Sequence, residues 1–108
     1  NELKGTVASI GTGNARGFVR VLYSPKEIKL FKKGEILVVG KTDPSFVPAM
    51  ERAAAILTDE GGLTCHAAIV SREMNKPCII GTKLGTRTFK TGDYVEVDIK
   101  KGVIKIIK

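Results

Sequence analysis

Between residues 36 and 80 short apolar runs alternate with stretches of helical periodicity, and this alternation restricts the fold more than any other feature of the chain. Glu35–Val39 reads as a buried strand, Phe46–Ala54 as a helix and Ala54–Leu57 as a second short strand. A helix over Cys65–Met74 comes next, then the apolar run Cys78–Ile80, closed by Gly81. Such strand–helix–strand units favour a partly parallel sheet. The two ends of the chain have a different pattern. Leu3–Ser9 alternates enough to be a strand, Gly11, Gly13 and Gly17 punctuate a turn, and Phe18–Leu22 is a further strand stopped by Pro25. Lys26–Phe31 is a short turn or helix, and Lys33-Gly34 turns into the first parallel strand. Near the C-terminus Lys101-Gly102 joins Tyr94–Ile99 to Val103–Ile107 as a hairpin, which needs antiparallel pairing. The expectation is an α/β chain of about seven strands and two or three helices, with mixed parallel and antiparallel sheets and helices on one side.

A chain of 108 residues, 43% hydrophobic and 27% charged, is the size of one globular domain over residues 1–108. It contains no apolar run near the ~20 residues that span a bilayer, and no signal peptide, so a cytoplasmic setting without a membrane partner is expected. The first residue is Asn1 rather than Met, which suggests an excised domain, a processed chain or a trimmed one. Cys65 and Cys78, with a single histidine, match no metal-ligand spacing, so no metal site is expected and both thiols read as reduced. The net charge is +7, yet the chain has only two Tyr and four Phe, not interleaved with the lysines. A nucleic-acid platform needs stacking aromatics, so nucleic acid is not an expected partner; the charge reads as a solvated surface that could help to meet phosphorylated substrates or an acidic partner domain.

The chemistry gathers at residues 61–66, Gly-Gly-Leu-Thr-Cys-His, which hold the only histidine. Thr64 is suited to cap the helix, with its hydroxyl meeting an orphan N–H, and this puts His66 in the first turn, exposed. Ala67, Val70 and Met74 form one apolar face, broadened by Ile69; Asn75 ends the helix and Pro77 cannot continue it. A phosphate on the imidazole would lie against free first-turn N–H groups at the positive end of the helix, and Gly61 and Gly62 allow close approach. Neutral imidazole is a competent nucleophile toward phosphorus. Other chemistries fit less well. Cys65 and His66 are adjacent in a helix and diverge, so they do not form a thiol–imidazole pair. Gly11-Thr12-Gly13 with Gly17 lacks nucleotide-loop spacing and reads as a turn.

Thr42-Asp43-Pro44, Pro48-Ala49-Met50, Ala53–Thr58, the run Gly61–Glu73, Pro77 and Gly81 make one ordered pattern. It resembles the swivelling phosphohistidine domain of the PEP-utilising enzymes, among them phosphoenolpyruvate synthase, pyruvate phosphate dikinase and the first enzyme of the sugar phosphotransferase system. The Thr-Cys-His and Thr-Asp-Pro forms look most like the synthase type. The resemblance covers nearly the whole chain and implies a β/β/α fold. It also implies that His66 is the covalent phosphoryl carrier and that the domain moves between a nucleotide-binding domain and a barrel handling phosphoenolpyruvate and pyruvate. Thr64 matches a threonine beside the carrier, and Arg72 an arginine that helps to neutralise the phosphoryl group; otherwise Arg72 pairs with Glu73 or Asp59. With Gly62 these are the expected phosphate-supporting residues. No cofactor is expected on this domain itself, since ATP and Mg would sit on the partner domains, and the domain alone would have no turnover. The competing reading is a non-catalytic interaction module that keeps the fold; the intact Gly-Gly-x-Thr-Cys-His favours the carrier.

Overall fold

The strand Ala15–Leu22 belongs to two sheets at once, and the architecture follows from that. In the computed structural model, which describes residues 2–107, the elements are β1 (Glu2–Lys4), β2 (Thr6–Ser9), β3 (Ala15–Leu22), β4 (Ile36–Val39), α1 (Val47–Arg52), β5 (Ala55–Thr58), α2 (His66–Met74), β6 (Cys78–Ile80), α3 (Gly85–Thr88), β7 (Tyr94–Asp98) and β8 (Val103–Ile106). The first half of β3, Ala15 to Phe18, pairs antiparallel with β7, and its second half, Val19 to Leu22, pairs parallel with β4. The order across all eight strands is β1-β8-β7-β3-β4-β5-β6-β2. Pairs β3–β4, β4–β5 and β5–β6 are parallel, whereas both ends of the array are antiparallel.

The two cores lie on opposite faces of the parallel strands, because successive side chains of a strand point to opposite sides. On one face Leu37, Val39, Ile56, Cys78 and Ile80 pack against Ala49, Met50 and Ala53 near α1, Ala67 and Ala68 of α2, and Phe31 and Phe46. On the other, Ile36, Val38, Ala55, Leu57 and Ile79 pack against Val95, Val97 and Ile104 of the antiparallel strands, Ile99 just after β7 and Phe89 just after α3. The layers are therefore antiparallel sheet, parallel sheet, helices. Each fully buried Ile, Leu or Val contributes roughly 1.5–3 kcal/mol of transfer free energy, so the continuous apolar runs carry much of the stability.

Several local expectations need correction. The stretch Leu3–Ser9 is two strands, with β1 on β8 and β2 on β6. The break is at Gly5, whose position admits no side chain: a Cβ there would lie 2.6 Å from the carbonyl oxygen of Ile80. The Phe46–Ala54 helix begins as a 3₁₀ turn over Pro44–Phe46, capped by the Asp43 carboxylate, and ends at Arg52 because Ala53 is already extended on its way into β5. The end of α2 is as expected: Asn75 adopts φ 57°, and Lys76 N–H bonds Ser71 O, a left-handed stop before Pro77.

The buried face of α2 also differs from the expected stripe. Ala67, Ala68 and Ser71 are buried, Val70 and Met74 are half-buried, and Ile69 is exposed. The small residues let the helix lie close to β2 and β6. Below it, burial pushes the Cys78 thiol up to about 11, against a lesser opposing contribution from Ser71. The folded state thus holds the neutral thiol while the unfolded chain ionises earlier, so stability should fall as pH rises from about 9 towards 11. Cys78→Val should flatten that decline in denaturant titrations. At pH 8 half-buried Cys65 should alkylate with iodoacetamide while Cys78 does not; equal labelling of both in the native chain would contradict this packing.

Candidate functional site

His66 is the first residue of α2, and Cys65 is its N-cap, extended at φ −71° and ψ 165° with no side-chain capping bond. The expected Thr64 cap is displaced by one residue. Cys65 N–H closes a turn onto Gly62 O at 3.0 Å, which keeps Thr64 in the loop, exposed. Just before this turn Gly61 takes φ +121°, with a Cβ position 2.9 Å from Cys65 Sγ; Gly62 faces open space. The first intrahelical bond runs from Ile69 N–H to Cys65 O at 3.1 Å, so the N–H groups of His66, Ala67 and Ala68 are left at the helix start without intrahelical acceptors.

His66 is half-buried rather than exposed, and the reason is a residue to which the sequence had assigned no chemical role. Thr42, itself buried, sits just beyond β4 with its Oγ1 2.8 Å from His66 Nδ1. The C-terminal ends of β4 and β5 and the start of α2 thus converge, as crossovers of a parallel sheet make them do. A cavity of about 210 Å³ opens there, lined by Lys41, Thr42, Thr58, Glu60, Gly61, Cys65, His66 and Ala67. Asp43 follows Thr42; hydrogen bonds from Ser45 hold its carboxyl below the usual range, with smaller help from His66 and Lys41. A signal for Thr42 was present in the Thr-Asp-Pro segment, but its contact spans 24 residues of sequence and is made only by the fold.

Arg72 is not brought to this cavity. Its Nε donates to Ala8 O at 2.8 Å and its Nη2 to Leu63 O at 2.7 Å, tying β2 to the loop before α2. It makes neither of the salt bridges considered for it, and the Asp59 carboxylate instead receives the Thr86 N–H and hydroxyl. Six residues along a helix also put it ~9 Å down the axis from His66. Among the described residues no group of three or more His, Cys, Asp or Glu could hold a metal ion, and no helix is long and apolar enough to cross a membrane.

His66 stands at a helix start beside a hydroxyl and a small cavity, and the sequence around it is matched by a family pattern over most of the chain: the model described as "PEP-utilising enzyme, mobile domain" covers residues 31–102. The chain belongs to this family. Its curated relatives include the probable phosphoenolpyruvate synthase of Archaeoglobus fulgidus, 55% identical over 102 residues, which is 94% of this chain and 13% of that protein. The phosphoenolpyruvate synthase of Pyrococcus furiosus is also 55% identical, over 94% of this chain and 12% of its own length. The mobile domain therefore spans only a small part of the enzymes it matches. Among solved structures, Enzyme I aligns with a TM-score of 0.62 and 27% identity over 74% of this chain and 33% of that one. Aconitase X from Thermococcus kodakaraensis aligns over 100% of this chain and 99% of its own with a TM-score of 0.72, but at 20% identity it speaks for the fold alone.

Proposed function

We propose that this mobile domain is a phosphoryl carrier: His66 takes a phosphoryl group at one partner domain and surrenders it at another. The observation that carries the reading is the Thr42–His66 contact at 2.8 Å beside the free N–H groups of the helix start. With Nδ1–H donating to Thr42 Oγ1, the imidazole is held in the tautomer whose lone pair is on Nε2. That lone pair attacks phosphorus, the N–P bond forms, and the donor's P–O bond breaks with its electrons on the leaving oxygen. The imidazolium so formed keeps its Nδ1–H on Thr42. The phosphoryl oxygens would rest on first-turn N–H groups, where the helix dipole favours negative charge. Exposed Thr64 is a further hydroxyl donor at the rim, and Gly62 leaves the approach open.

By likeness to the synthases, the partners are a nucleotide-binding domain and a domain handling phosphoenolpyruvate and pyruvate, in the cytoplasm. ATP and Mg belong to those partners, and the domain alone, a phosphotransferase component, has no turnover. The test is to offer the chain to partner domains of a phosphoenolpyruvate synthase with labelled nucleotide or phosphoenolpyruvate. The label should be acid-labile and alkali-stable, as a phosphoramidate is. Thr42→Val should fold but lower the phosphorylation rate by roughly 10–100-fold, because the ring loses the acceptor that sets its tautomer. An unlabelled wild-type chain under conditions that label the partner's own domain would leave a non-catalytic module as the reading.

A further inference from the structure

We propose that Lys41 is a catalytic cation of this domain, binding the phosphoryl group while it is on His66. The proposal rests on the carrier reading above and adds the residue that meets the charge. A phosphoryl group brings close to two negative charges into a cavity whose lining already holds Glu60, with Asp43 next to Thr42. The helix start offers about half a unit of positive charge, too little to balance both the incoming oxygens and a carboxylate. Arg72, the cation expected from the sequence, donates to Ala8 O and Leu63 O instead.

Among the described residues Lys41 is the only lysine or arginine lining the cavity, and Thr42, which holds the imidazole, is its chain neighbour. The side-chain ion pairs among the described residues are Arg16–Glu96 and Arg20–Glu35, so Lys41 is in neither. It is exposed, and its ammonium needs no desolvation to reach the cavity mouth. A point charge on a flexible stem also suits a group that must be handed on, whereas a bidentate guanidinium would hold the phosphoryl in one fixed geometry.

The test uses phosphoramidate as a small donor, so that no partner domain is needed. Protonated on nitrogen, it loses ammonia with the old P–N electron pair as the Nε2 lone pair forms the new N–P bond. Phosphohistidine is followed by ³¹P NMR in the wild type, Lys41→Met, Lys41→Arg and His66→Ala. At low ionic strength Lys41→Met should be phosphorylated about fivefold more slowly, the effect of one exposed cation some 4 Å from an anion when the dielectric of bulk water lies between them. Lys41→Arg should keep most of the rate. The gap between wild type and Lys41→Met should close in 1 M salt, where the Debye length falls to ~3 Å; a packing defect would not be cured this way. Equal rates for Lys41→Met and wild type at low salt would overturn the role of Lys41 and leave the carrier intact. A wild-type chain without a phosphohistidine signal, or a signal that survives in His66→Ala, would remove the carrier reading and Lys41 with it.

Discussion

His66→Ala is expected to abolish acid-labile labelling, a loss on the order of 10³-fold or more, because the chain has no other imidazole to form the phosphoramidate. The variant should still fold. The side chain is half-buried and its ring hydrogen-bonds Thr42, so the cost should be about 0.5–1.5 kcal/mol. Paired measurements decide the matter: label transfer from partner domains, and a denaturant midpoint. Loss of label with a near-native midpoint is the expected result. An acid-stable label that persists in His66→Ala would move the acceptor to a hydroxyl, with exposed Thr64 as the first candidate, and the carrier reading would fall.

Ile56→Ala should have the largest effect on stability. Ile56 is fully buried in β5, paired to Leu37 of β4 and Cys78 of β6, in the core beneath both longer helices. Truncation there should cost 2–5 kcal/mol through lost transfer energy and the residual cavity. For a domain of this size that corresponds to a drop in Tm of roughly 10–20 °C. Val70→Ala is the contrast. Helical periodicity put Val70 at the centre of the apolar face, but it is only half-buried, so about 1 kcal/mol is expected. Equal losses for the two variants in denaturant titrations would show that α2 packs on Val70 rather than on Ala67, Ala68 and Ser71.

The parallel strands were legible because burial on both faces writes an unbroken apolar run, and Cys78–Ile80 appears in the structure with those bounds. The C-terminal hairpin was legible for a similar reason, since Lys101-Gly102 joins strands adjacent in sequence, and Gly102 takes φ +65° there. The helix carrying His66 and its stop at Asn75 also followed from local signals, and the motif around it pointed to phosphoryl chemistry before any contact was known.

Other features had no local signature. Gly5 divides one alternating run between two sheets because Ile79 and Ile80 lie where a side chain would go, and they are some 75 residues away in sequence. The cap moved from Thr64 to Cys65 because the Gly62–Cys65 turn set the entry of the helix. Arg72 was drawn from the site by the carbonyls of Ala8 and Leu63, acceptors that only the docking of β2 beside α2 presents. The residue types, the helix and the place of the single histidine at its start were thus determined by the sequence alone. The contact of Thr42 with His66, and the place of Lys41 on the same cavity, were decided by tertiary structure, because they depend on where the end of β4 meets the start of α2, a long-range matter of packing that short-range periodicity does not encode.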